Sequence, residues 1–118
     1  MDIATAERAL ARYVAQRCPS PDTPVLAGNS EIPETPPMVR LRFVSGTLGT
    51  EELREFTAEL RGAFAEPEEA SGFADAVWGA LPAYGAEGFT VLERSGEVGF
   101  AECEGYFTVS GRLRACFA

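Results

Sequence analysis

The sequence predicts an α+β domain in which an N-terminal helix and a central helix pack on one face of a mainly antiparallel sheet. Apolar residues recur at helical spacing from Ile3 and again after Pro67. The segments between and beyond alternate polar and apolar with the period of a half-buried strand. The expected order is helix, strand, strand, helix, strand, strand, strand, with each sheet face either covered by helices or left open. A length of 118 residues suits a single domain with one core. Within it, 1–17 form the N-terminal helix, 18–37 a connector and 38–118 the sheet and central helix.

From Ile3 to Arg17 the apolar residues Ile3, Ala6, Leu10, Tyr13 and Val14 share a face, with Glu7, Arg8, Arg12 and Gln16 opposite. Cys18-Pro19 ends this helix. The connector holds six of the eight prolines and also Gly28, Asn29 and Ser30. That composition denies it helical hydrogen bonds and a place in a central strand, so an extended path is expected, as a partner-contacting loop or a passive tether. Met38 to Ser45 then alternates, Val39, Leu41 and Phe43 on one side against Arg40 and Arg42 on the other.

The segment from Arg54 to Ala65 supports two assignments. As a strand it turns Phe56, Ala58, Leu60 and Phe64 inward; as a helix, Leu53, Phe56, Leu60 and Phe64 form an equal stripe, with Thr50, Glu51 and Glu52 suited to its cap. The strand is preferred because Gly49 and Gly62 bracket it and a turn across Gly46 to Gly49 gives the preceding strand an antiparallel partner. Pro67, followed by Glu68 and Glu69, opens the central helix, with Phe73, Val77, Trp78 and Leu81 as its buried stripe and Pro82 as its stop. Three strands are expected after it: Phe89 to Arg94, Glu97 to Glu102 and Tyr106 to Phe117. Ser95-Gly96 and Glu104-Gly105 are the intervening turns, and the last run leaves a strand edge or face near its end.

Composition excludes more chemistry than any motif supplies. Histidine is absent and all ten basic residues are arginine. The codon preference of a GC-rich genome accounts for that bias, but its chemical consequence stands regardless. There is no Ser-His or Cys-His pair, no imidazole metal ligand, no Schiff-base lysine and no P-loop ammonium. A formal net charge of -8 argues against tight nucleic-acid binding, which is built on clustered cations. An acidic surface can instead line a passage to which DNA must not adhere. Cys18, Cys103 and Cys116 lack metal-ligand spacing and leave one thiol over in any disulfide scheme, so free thiols and a reducing compartment are expected. The first residues, with Asp2 and Glu7, do not resemble a signal peptide, and no run has the length of a membrane span.

Among the acids, Glu66, Glu68 and Glu69 suit a helix start, while Glu102 and Glu104 suit a solvated turn. Nine acids and only Arg94 occur from Glu66 to Glu104, giving either a solvated surface or a functional lining. Gly96-Glu97-Val98-Gly99 lacks the helix and lysine that a phosphate loop requires. Arg40 with Arg42, and Arg112 with Arg114, lie on polar strand faces. They suit cross-strand pairing with outward glutamates, or the docking of an acidic partner.

The whole pattern resembles the tail-terminator, or tail-completion, proteins of tailed bacteriophages. The resemblance rests on the N-terminal amphipathic helix, then Val25-Leu26-Ala27-Gly28-Asn29-Ser30 and a proline-rich run into Met38-Val39-Arg40-Leu41-Arg42-Phe43. The central helix ending Ala76-Val77-Trp78-Gly79-Ala80-Leu81 and the terminal meander complete it. It implies a non-enzymatic virion protein, made in the host cytoplasm and without cofactor, metal or catalytic residue. Such a protein forms a hexameric ring at the head-proximal end of the tail tube, ends tube polymerisation and meets the head connector, with DNA passing through unbound. On that resemblance Arg40, Arg42, Tyr106, Arg112, Arg114 and Phe117 are candidate partner or subunit contacts, and Glu93, Glu97, Glu102 and Glu104 candidate lumen acids. A head-closure or adaptor protein of the phage neck and a small cytosolic protein-binding module are the competing expectations.

Overall fold

A computed structural model describes residues 2–28, 35–48 and 53–117 of the chain. Helix α1 (Ile3–Arg17) begins where the Asp2 carboxylate accepts a 2.7 Å hydrogen bond from the Thr5 backbone N–H. That bond satisfies an otherwise orphaned helix-end donor and holds the Asp2 carboxyl below its ordinary pKa. Its buried face is Ala6, Ala9, Leu10, Tyr13 and Val14. Ile3, expected on this stripe, is 43% exposed at the first residue of the helix.

A five-stranded sheet follows, with spatial order β1-β2-β3-β5-β4. Strand β1 (Val25–Ala27) runs parallel to β2 (Met38–Leu48), and β2 is antiparallel to β3 (Leu53–Phe64). Strand β5 (Tyr106–Phe117) is antiparallel to both β3 and β4 (Phe89–Cys103). The domain is therefore α+β with a mixed sheet. The connector was expected to carry no strand, yet Val25–Ala27 adds one at the sheet edge. There, prolines on either side cost no ladder bond, and the Gly28 N–H still reaches the Leu41 carbonyl at 3.1 Å.

Residues 53–64 form the strand that was preferred over the helix. The turn expected from Gly46 does not begin there, since β2 continues through Gly46 to Leu48; Gly49 and the Thr50 to Glu52 segment fall outside the described residues. Helix α2 (Pro67–Val77) ends a turn earlier than expected, with Trp78 as its C-cap. Proline disfavours helical backbone at the residue before it, and Leu81 precedes Pro82. Trp78 and Leu81 nonetheless pack on the core.

The expected three-strand meander is a two-strand hairpin. Ser95 pairs with Arg112 and Gly99 with Ser110, so Gly96, Glu97 and Val98 together oppose the single residue Gly111. The positive φ of Gly96, 87°, is used in this bulge and not in a turn. Glu104 and Gly105, with φ of 49° and 87°, make the true two-residue turn. Merging the two runs gives the order helix, three strands, helix, two strands. It also places β5 inside the sheet, so the C-terminal run offers no edge.

The core lies between the helices and one sheet face. Val39, Leu41, Phe56, Ala58, Leu60, Val109, Leu113 and Ala115 meet Leu10, Tyr13 and Val14 of α1 and Phe73 and Val77 of α2. Trp78 lies over Gly111, where a Cβ would stand 3.0 Å from the indole Nε1, so the close approach requires glycine. Among the described residues no helix is long and apolar enough to cross a membrane.

Candidate interaction surface

The sheet face turned away from the helices is polar, and strand register builds it in rungs. Arg42 pairs with Glu59, Glu59 with Arg112, and Arg112 with Ser95. One rung along, Ser45, Thr57, Arg114 and Glu93 align; on the other side Arg40, Arg61, Ser110 and Gly99 do so. Because side chains alternate between faces, a single pairing register brings five arginines and three glutamates onto this surface. Arg40, Arg42, Arg112 and Arg114, chosen from the alternation, all belong to it, as does Tyr106 opposite Cys103.

Arg114 is its hub. Its Nε donates to the Glu55 carboxylate at 2.7 Å and one terminal nitrogen donates to the other Glu55 oxygen at 3.1 Å, a two-pronged contact. Its remaining terminal nitrogen pairs with Glu93. The Arg114 hydrogen bonds hold the Glu55 carboxyl below its ordinary pKa, and Glu55 with Glu93 pushes the guanidinium further up. Arg42 and Glu59 form a looser pair at 3.5 Å. The cross-strand pairing expected of the outward arginines is present for Arg42 and Arg114. Each such pair on a wet surface contributes little stability, about 0 to 1 kcal/mol, but together they fix side-chain positions on an otherwise flat sheet.

Two expected site residues lie elsewhere or play another part. Phe117 faces the helices and stacks on Phe56, ring centroids 5.6 Å apart, and on Phe89 at 4.9 Å, so it is a core contact at the sheet's end. Glu93 is the partner of Arg114, not a free acid. Glu97 in the bulge, Glu102 near the end of β4 and Glu104 in the turn are exposed. Glu55 and Glu59, outward when residues 54–65 are read as a strand, are glutamates that Arg114 and Arg42 meet.

Among the described residues no three carboxylates or thiols converge in a metal-binding geometry. Cys18, Cys103 and Cys116 are free, and partial burial raises the Cys18 thiol above its ordinary pKa. The concavities are open. One of about 620 Å³ lies on the polar face between Glu59, Arg61, Glu97, Ser110 and Arg112. Another of about 450 Å³ lies between the end of α2 and the bulge, lined by Asp75, Trp78, Arg94, Val98 and Phe100. No protein-family model matches the chain, and no curated protein sequence does.

Proposed function

We propose that this chain is a structural virion protein of the tail-terminator type, which assembles into a ring at the head-proximal end of a phage tail tube and ends its polymerisation. The observation that carries this reading is the one-sided sheet. Both helices cover one face, and the other is a wide polar plane whose charges are held in register by Glu55, Glu59, Glu93, Arg42 and Arg114. Such a plane is suited to recognising another folded surface, because its donors and acceptors are fixed before contact. The element order and the acidic balance support the same reading. Arg40, Arg42, Tyr106, Arg112 and Arg114 are its contact residues toward a neighbouring subunit, the tube protein or the head connector. Glu97, Glu102 and Glu104 are the acids available to repel DNA in a central passage.

The test is capping of tail-tube growth. Purified tube protein of the same virus is polymerised with and without this chain, and tube lengths are measured by electron microscopy. Short tubes ending in a ring are expected. Unaltered elongation with no density at the tube ends would contradict the reading and favour a neck adaptor or a cytosolic binding module.

A further inference from the structure

The outer strands of the sheet, as distinct from its polar face, carry stretches of edge left unpaired among the described residues. Strand β4 is an edge strand of 15 residues. Its first turn of chain is covered, since Ala83 exchanges hydrogen bonds with Leu92 at 2.8 and 3.0 Å and the Gly85 N–H reaches the Phe89 carbonyl at 2.8 Å. Beyond Arg94 nothing among the described residues pairs with its outer side.

The hairpin fixes which groups are left over. A two-residue turn makes Cys103 and Tyr106 a hydrogen-bonded pair, and alternation then turns the N–H and C=O of Phe100 and Glu102 away from β5. The Phe100 side chain is itself 59% exposed beside the concavity at Trp78 and Val98. At the opposite end of the sheet, β1 covers β2 only from Val39 to Leu41. Along 42–48 the outer side of β2 is likewise unpaired among the described residues. Exposed edges of this kind are templates for another strand.

Charge selects among the possible pairings. Over the open stretches, residues 42–48 carry Arg42 and no acid, whereas residues 95–103 carry Glu97 and Glu102 and no base. Two β4 edges, or two β2 edges, would place like charges together, which costs stability; β4 against β2 brings opposite charges together. We infer that the β4 edge of one copy, centred on Phe100, adds to the outer half of β2 of the next copy, continuing the sheet from subunit to subunit. The interface is head-to-tail and has no two-fold axis, so it generates a ring when the rotation closes. Glu97 and Glu102 then enter the joint, and Glu104 in the turn is left to the passage. This inference rests on the ring reading and names the surfaces that would build it.

Two experiments test it, each run with and without tail tubes. Phe100→Pro removes a backbone donor that points away from β5 and leaves the β4–β5 ladder intact. Rings are expected to be lost while the circular dichroism spectrum and melting temperature stay as in the parent chain. In a background with Cys18, Cys103 and Cys116 replaced by serine, Ser45→Cys and Ala101→Cys chains, whose thiols share the polar face, are treated with a short bis-maleimide. Cross-linked dimers are expected from the mixture and not from either variant alone. Rings that persist in Phe100→Pro, or dimers from Ala101→Cys alone as abundant as from the mixture, would overturn the joint and leave the ring reading standing. A parent chain that is monomeric under every condition would overturn both. Should Phe100→Pro fail to fold, the cross-linking result decides.

Discussion

At the scale of single residues one close constraint is the contact between Trp78 and Gly111. Trp78 is 3% exposed and meets Phe73 edge-on at 5.7 Å, so Trp78→Ala is expected to cost about 3 to 5 kcal/mol in urea denaturation. Gly111→Ala drives a methyl group against the indole and is expected to cost about 1 to 3 kcal/mol. In the Trp78→Ala background the same glycine substitution should cost much less, a coupling that a double-mutant cycle measures. Tyr13 presents the opposite case. Its hydroxyl is buried without a hydrogen-bond partner among the described residues, so Tyr13→Phe is expected to hold or raise stability, by about 1 kcal/mol at most. The Arg17 guanidinium, 5.1 Å from the ring centroid, keeps its aromatic partner in that variant. Glu55 carries the pH dependence. Its folded-state pKa is depressed by Arg114, so its contribution is present above the ordinary glutamate range and is lost as pH falls through the depressed value. An NMR titration of its carboxyl carbon should show that pKa rise toward the ordinary glutamate range in Arg114→Gln. An unmoved titration would mean that the ion pair does not form in solution.

At the scale of elements, the helices and long strands were legible because each buries one face. Ala6, Leu10, Tyr13 and Val14 had to recur at helical spacing, and Val39, Leu41 and Phe43 had to alternate. The assignment of residues 53–64 was open on periodicity alone, since Phe56, Leu60 and Phe64 satisfy both periods. It is resolved by partners on both sides, β2 and β5, which no local pattern contains. Two features were hidden for the same reason. Val25–Ala27 becomes a strand only because β2 offers an edge, and Gly96 becomes a bulge because both halves of β4 pair with one continuous β5. The polar face was half legible: alternation selected its arginines, but Glu55 and Glu93 could be assigned to Arg114 only once the strand order was known. Phe117 shares the apolar face that its alternation gives it, but an alternating strand gives no sign of the Phe56 and Phe89 rings that meet it there.

At the scale of the molecule, dimensions and charge lead to one arrangement. The domain measures 47 × 28 × 25 Å, and its long axis is close to the length of a 15-residue strand at about 3.3 Å per residue, so the sheet spans the whole particle. Its helices lie on one face, its ion-paired plane on the other, and strands of opposite charge at its two ends. In the proposed ring each copy would meet two neighbours through these two ends, as a closed ring of identical subunits requires. Raising the salt concentration should weaken assembly, because the steering charges on Arg42, Glu97 and Glu102 are exposed and become screened; light scattering at increasing ionic strength measures this. The most direct test of the central claim is the mass of the particle, read by native mass spectrometry and by imaging, in free solution and on tail-tube ends. The account predicts rings whose mass is about six times the 12.6 kDa of one chain. A 12.6 kDa monomer in both settings, or a closed two-fold dimer, would contradict it.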